Sequence, residues 1–357
     1  MTQQRAFRVA VLTIAAIGLV VMACTSDEKE SAAGNTLQAV LDRGKVRCGV
    51  NDAVPGFGFL KPDGTFAGFD IDFCKAVAAA VFGDANKVEY VKLTAAARFE
   101  ALASGQIDVL IRNTTWTASR DADLKADFAI VTFYDGQGMM VRADSGINKL
   151  EDMRNATVCV LQGTTTELNL DDRFRAGNIA YKPLTFETNE TLEQAFTQKR
   201  CDGWTSDKSQ LAARRSAFPA SAGGPVALKI LAETFSKEPL GPVTRDNDSD
   251  WHNVVNWVAI GVITADELGV TSKNLEQMKS NPPSPDVARL LGVPFKGGQV
   301  SNFGLGIGAD FMQKVLAQVG NYDEVYQRNV TPIGLAREGT LNASWRKGGL
   351  IYAPPMR

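Results

Sequence analysis

Arg112 and Arg120 bracket a run of hydrogen-bonding residues, Arg112-Asn-Thr-Thr-Trp-Thr-Ala-Ser-Arg120, that follows directly on the apolar stretch Ile107-Asp-Val-Leu-Ile111. A planar guanidinium can grip a carboxylate through two parallel hydrogen bonds, and hydroxyls and backbone N–H groups can fill the remaining lone pairs. Two other places have complementary chemistry. Leu161-Gln-Gly-Thr-Thr-Thr166 lies between a strand-like and a helix-like segment, where the free N–H groups of a helix start would favour an anion. Cys201-Asp-Gly-Trp-Thr-Ser-Asp207 is a strand-like run that ends in a carboxylate, able to accept from an ammonium. A guanidinium, a helix start with hydroxyls and a carboxylate together match a zwitterion, an α-amino acid. Singly, each piece equally fits a surface ion pair, a Gly-Thr helix cap or a solvated aspartate.

The elements that must position these residues alternate in type. Lys45 to Val50 predicts a strand, and Phe69, Phe73, Ala76, Val77, Ala80 and Val81 form a helical stripe stopped by Gly83. Val88 to Leu93 predicts a strand, Ala95 to Ser104 a helix, and Ile107 to Ile111 a short buried parallel strand. The pattern restarts after residue 142: a short helix at Lys149 to Met153, a strand at Thr157 to Leu161 and a helix at Thr165 to Arg175. A strand at Ile179 to Pro183, a helix at Thr191 to Lys199 and a strand at Cys201 to Thr205 follow. This is α/β alternation in two lobes, and in open α/β sheets ligands bind beyond the carboxyl ends of the strands, where all three stretches lie. Gly136 to Arg142 and Ser236 to Thr244 are extended, Gly- or Pro-containing stretches that suit two crossings between the lobes. The expected division is 36–140 with 242–357 for the first lobe and 141–241 for the second. A helical stretch from Trp251 to Ile263 would return to the first lobe.

With 357 residues the chain is long enough for two lobes, and 38 basic against 40 acidic side chains give a formal charge of −2. No global field points to nucleic acid or an anionic membrane. Arg5 and Arg8 precede the apolar run Val9 to Met22, too short and wrongly flanked for a membrane span, and Val21-Met-Ala-Cys24 follows. Residues 1–23 are expected to be a lipoprotein signal peptide with Cys24 as the lipid attachment point; simple signal cleavage nearby is the alternative. The polar stretch 24–35 predicts a flexible tether. Export makes the remaining cysteines an even set in an oxidising compartment, and four cysteines allow three connectivities. Cys48 and Cys74 fall in the first half and Cys159 and Cys201 in the middle, so these two pairs are expected. Separations of 26 and 42 lack the CxxC pairs of a zinc site, and His252 is the single histidine, which argues against a metal and against Ser-His or Cys-His catalysis.

The segments Gly64-Thr-Phe-Ala-Gly-Phe-Asp-Ile-Asp72, Arg112-Asn-Thr-Thr-Trp-Thr117, Ser236-Lys-Glu-Pro-Leu-Gly-Pro242 and Tyr352-Ala-Pro-Pro-Met-Arg357 resemble the polar or general amino-acid-binding proteins of ABC importers, from residue 36 to the end. The resemblance implies the type II periplasmic-binding fold, two α/β lobes joined by two hinge strands that close on the ligand. Carried onto this sequence, it makes Arg120 the α-carboxylate clamp, with donors from Asn113 and Thr115. Thr165, with Thr164 beside it, would add N–H and hydroxyl from the second lobe, and Asp207 would take the α-ammonium. In acidic-amino-acid binders of this superfamily the position of Arg98 carries an arginine that reaches the ligand's side chain. Arg98 is also poorly placed for the dipole of the helix it opens, so an anionic partner suits it, although an exposed helix arginine is the alternative. Arg112 either adds positive potential or pairs on the surface. Phe57 either walls the cleft or packs in the core. Asp52 nearby would favour an amide or a cation.

The function so implied is an exported, lipid-anchored, monomeric receptor. It would capture polar L-amino acids (Glu, Gln, Asp or Asn) without a cofactor and present them to a membrane permease. Two alternatives stand beside it. One is an enzyme on the same fold, of the cyclohexadienyl-dehydratase kind, which would need a general acid or base aimed at the ligand. The other is a ligand-binding sensor acting through a partner.

Overall fold

A computed structural model describes residues 34–357. The expected signal peptide 1–23, Cys24 and most of the tether lie outside the described residues. Two five-stranded sheets organise the chain. In the first, Val88–Lys92, Val46–Val50 and Val109–Leu110 run parallel, followed by Val243–Arg245, antiparallel to both its neighbours, and Ala126–Phe128 at the edge. The second repeats that plan. Lys182–Phe186, Thr157–Leu161 and Gly203–Asp207 run parallel, then Gln137–Arg142 and Leu228–Ile230 follow with antiparallel pairing. Central strands that are apolar on both faces, such as Thr157–Leu161, are covered by helices on both sides.

Between the sheets, Phe133–Asp135 and Glu238–Leu240 form an antiparallel pair, with Glu238 opposite Asp135 and Leu240 opposite Phe133. These are the two hinge strands. Gln137–Arg142 belongs wholly to the second sheet, so a division at 140/141 cuts through that strand. The returning chain adds Val243–Arg245 to the first sheet. It then forms the helix Ser249–Glu267, whose Trp251, Val255, Val258 and Val262 are buried in the same core as Phe69–Phe82. The helix Phe69–Phe82 ends as expected at Gly83, which takes the left-handed conformation at φ 72°.

Several elements differ from expectation: the strand expected at Cys201 to Thr205 is Gly203–Asp207, and the helix expected at Thr191 to Lys199 is Asn189–Thr197. The helix after Val88–Lys92 is confined to Arg98–Ala103, and the strand expected at Ile107 to Ile111 pairs only over Val109–Leu110. The strand expected at Ile179 to Pro183 begins at Lys182. There the preceding helix is closed by Asn178 at φ 51° and by the Ile179 N–H donating to Phe174 O, which spends Ile179 on the second lobe's core. Apolar character alone does not separate a helix-closing residue from the first residue of a strand.

Disulfides join Cys48 to Cys74 and Cys159 to Cys201, each tying a sheet strand to another part of its own lobe. The C-terminal segment is strapped to the hinge: Asn342 Oδ1 accepts from the Tyr134 N–H at 2.7 Å and its Nδ2 donates to Tyr134 O at 2.9 Å. Among the described residues no helix is long and apolar enough to cross a membrane.

Candidate ligand-binding site

The carboxyl ends of the parallel strands from both sheets face one another. The first lobe contributes Ala95 and Arg98 beyond Val88–Lys92, and Arg112, Asn113 and Thr115 beyond Val109–Leu110. The second contributes Leu161 and Thr164–Thr166 beyond Thr157–Leu161, with Ser206, Asp207 and Gln210 at the end of Gly203–Asp207. Together they enclose a cavity of about 20 Å³, room for roughly one water. Gly163, at φ 71°, brings the second lobe's rim so close to the first that an added Cβ would stand 3.0 Å from Ala96 Cα.

Arg120, in the one-turn helical segment Ser119–Asp123, is buried with its Nη1 donating to Thr115 O at 2.9 Å. Arg98 and Arg120 both place their guanidinium carbons 5.2 Å from the centroid of the Phe99 ring, a packing that holds two like charges close together. Arg98 is 3% exposed and its Nε lacks a partner. Burial, then the positive charges of Arg120 and Arg112, pull its pKa well below the usual arginine value. The alternative of an exposed helix arginine therefore gives way to a desolvated cation at the cavity wall, one an anion would stabilise. Arg112 is also buried: its Nε donates to Leu93 O at 2.8 Å, and burial pushes its pKa down to about 10 against the opposing pull of Asp70. It lines the cavity, and its partners are interior groups.

Asn113 takes a positive φ of 40°, and its N–H donates to Asp70 Oδ2 at 3.0 Å, while both polar atoms of its carboxamide are buried without partners. Burial raises Asp70 to about 6 despite that bond and the nearby Arg112. Thr164 caps the helix Thr165–Ala176, accepting from the Glu167 N–H and donating to Leu161 O at 2.7 Å, so its hydroxyl is committed to the turn. What this end of the helix offers a ligand is its first-turn N–H groups and Thr165. Asp207 is buried at the start of Lys208–Ser216. Burial, followed by the carboxylates of Asp135 and Glu238, pushes its pKa well above the ordinary value, and Arg98 and Arg120 oppose the shift.

Phe57 stands apart from the others. It is fully buried against Phe69 and Phe133, at 6.0 and 5.1 Å between ring centroids, and belongs to the first lobe's core. Its backbone explains the placement, since Asp70 N donates to Phe57 O and fixes the residue beneath the helix Phe69–Phe82. Asp52 sits 3.7 Å from Lys92 in a partly exposed ion pair.

Sequence reasoning missed Glu238, on the returning hinge strand. It is 1% exposed and accepts from Thr115 Oγ1 at 2.6 Å, Thr165 Oγ1 at 2.8 Å and Asn169 Nδ2 at 2.8 Å. The available signal was an acidic residue directly before the Pro-Leu-Gly-Pro run of the crossing Lys237-Glu-Pro-Leu-Gly-Pro242. Gln137, the first residue of the second sheet's strand Gln137–Arg142, was missed as well: its Nε2 donates to Thr166 O at 2.7 Å and to Thr205 Oγ1 at 2.9 Å, fixing the helix start that lines the cavity.

Comparison with known proteins agrees with this architecture. The chain is 44% identical over 330 residues to the glutamate/glutamine/aspartate/asparagine-binding protein BztA of Rhodobacter capsulatus, covering 92% of this chain and 95% of that one. It is 44% identical over 351 residues to the general L-amino acid-binding periplasmic protein AapJ of Rhizobium johnstonii, covering 97% and 99%. An ABC transporter/periplasmic binding protein from Brucella ovis, solved with glutathione bound, superposes with a TM-score of 0.84 at 43% identity, over 90% of this chain and 99% of that one. The family model of the bacterial extracellular solute-binding proteins, family 3, matches residues 46–273, and the chain belongs to that family.

Proposed function

We propose that this protein is the extracytoplasmic receptor of an amino-acid ABC importer, capturing polar L-amino acids, with Glu, Gln, Asp and Asn as the favoured set, and delivering them to a membrane permease. A lipid on Cys24, which follows Val21-Met-Ala23, anchors the receptor as a monomer to the outer face of the membrane. The observation that carries the reading is the convergence of Arg98, Arg112 and Asp207 on one cavity between two lobes, with Arg120 behind its wall and near enough to act on the charges of Arg98 and Asp207, in a family whose relatives are named for binding amino acids. In this reading Arg120 clamps the α-carboxylate, the N–H groups at Thr115 and Thr165 fill its remaining lone pairs, the Asn113 N–H stays with Asp70 so that Asn113 contributes through its carboxamide, and Asp207 takes the α-ammonium. Arg98 and the unpartnered carboxamide of Asn113 then face the ligand's side chain, and Arg112 adds positive potential there. Each lobe alone leaves ligand charges unpaired, so the lobes part for entry and close over the ligand, excluding water and strengthening each ion pair.

The paired variants Arg120→Met and Arg98→Met test this division of roles by titration calorimetry. Arg120→Met is expected to weaken every amino acid by about a hundredfold or more, the loss of two charge-assisted hydrogen bonds. Arg98→Met is expected to reorder preference, costing acidic ligands more than amides. Equal losses across all ligands in both variants would contradict the assignment. His252 plays no part in this reading; it lies 3.1 Å from Thr244 Oγ1 and 3.3 Å from Asp127, within the first lobe.

A further inference from the structure

Glu238 binds the two lobes and the hinge through one carboxylate. Its Oε2 accepts from the hydroxyl of Thr115, on the first lobe, and from that of Thr165, on the second. Its Oε1 accepts from Asn169 Nδ2, one helical turn beyond Thr165, and from the Ser236 hydroxyl of the hinge segment. Thr115 Oγ1 and Thr165 Oγ1 approach each other to 3.4 Å, so this set can be complete only while the lobes are together. A threonine hydroxyl has one proton and two lone pairs. When both protons point at Glu238, each oxygen shows the cleft lone pairs alone. The two hydroxyls that the sequence suggested as donors to a carboxylate are therefore acceptors on that side, suited to the N–H groups of an ammonium. Arg120 and the backbone N–H groups remain the donors for an anion.

We propose that Glu238 is a positioning, specificity-determining residue: by drawing the hydroxyl protons of Thr115 and Thr165 toward the hinge, it turns both oxygens into ammonium acceptors and completes that arrangement only on closure. The inference rests on the amino-acid reading above and adds to it a hinge carboxylate that sets the polarity of the cradle. Its consequence is discrimination between ligands with and without an α-ammonium, beyond what Asp207 supplies by charge.

The test compares L-glutamate with glutarate, and L-glutamine with 4-carbamoylbutanoate, by titration calorimetry on the mature protein. Glu238→Ala is expected to lower each ammonium preference about tenfold, because the freed hydroxyls can turn and donate to either ligand. In a Thr115→Val, Thr165→Val background the same substitution is expected to leave the preference unchanged. An equal drop in both backgrounds would mean that Glu238 acts through its own charge, and equal weakening of both ligands in a pair would mean a purely structural role; either result overturns the proposal. Should Glu238→Ala fail to fold, the single variants Thr115→Val and Thr165→Val decide the matter: loss for the ammonium-bearing ligand alone supports the proposal, and equal loss for both overturns it. If the unmodified protein binds no amino acid, the amino-acid reading itself fails, an outcome distinct from an unchanged preference in a protein that does bind.

Discussion

At the scale of single residues, the site is a balance of buried charges. Three guanidiniums, on Arg98, Arg112 and Arg120, are each pulled below the ordinary arginine pKa by burial, and Asp207 is pushed up by burial and by Asp135 and Glu238. An ammonium set against Asp207 would favour its ionised form, so its pKa falls on binding. The complex then holds fewer protons than the free protein across the range between the two pKa values. Binding should release a proton there, and affinity should rise with pH up to the free-state pKa and level off above it. Calorimetry at mildly acid pH, in buffers of different ionisation enthalpy, should show that release and should show it disappear in Asp207→Asn; proton uptake by the unmodified protein would contradict the ammonium role. Thr165 and Asp207 drew attention in the sequence as a helix start and a strand end, and Arg98 and Arg120 through the resemblance to amino-acid binders; the structure sets Arg98, Thr165 and Asp207 around one cavity. Glu238 was not legible, because its partners Thr115, Thr165 and Asn169 come from both lobes, and no local pattern joins positions 115, 165 and 238. Phe57 was ambiguous for a related reason, since an aromatic side chain satisfies a core and a cleft wall equally well until its neighbours are known.

At the scale of elements, the parallel strands carry the ligand groups and the two crossings set how the halves meet. Strands with continuous apolar runs, Val46–Val50 and Thr157–Leu161, were readable almost to the residue. The strand Lys182–Phe186 was not, since the helix-closing turn before it consumes apolar residues of its own. The hinge strands have three residues each, and the returning one, Glu238–Leu240, lies within the Pro-containing crossing expected at Ser236 to Thr244. The outgoing one is Phe133–Asp135, just ahead of the stretch Gly136 to Arg142 expected to cross, which instead supplies the second sheet's strand Gln137–Arg142. Gly163 is where element geometry meets closure. Its φ of 71° disfavours any side chain, and an added Cβ would press on Ala96 across the cleft. Gly163→Ala is therefore expected to weaken ligand binding about tenfold while leaving each lobe folded, with X-ray scattering showing incomplete compaction on ligand addition. Unchanged affinity and full compaction would show that the two rims do not need this approach.

At the scale of the whole molecule, two lobes of the same strand order, each with its own disulfide, are joined by a two-stranded hinge and braced by a C-terminal segment that pairs Asn342 with Tyr134. Arg337 anchors that segment to Asp266 at 2.6 Å and Asp323 at 2.8 Å, keeping residues beyond the family match packed on the first lobe. In the proposed function this arrangement opens and closes at the cleft, and a ligand that touches both lobes shifts that equilibrium by the difference in its affinity for the two states. The two-lobe plan was readable in the sequence from the restart of α/β alternation after residue 142, whereas the bracing of the hinge depends on contacts between residues 134 and 342. The central claim is that a polar L-amino acid is the ligand those lobes close upon. The most direct measurement is a calorimetric panel of the common amino acids, with glutathione included because the Brucella ovis relative was solved with it bound, on the mature protein. Binding tighter than millimolar for Glu, Gln, Asp or Asn is the predicted result; no amino acid binding at that strength, or binding of glutathione alone, would contradict it.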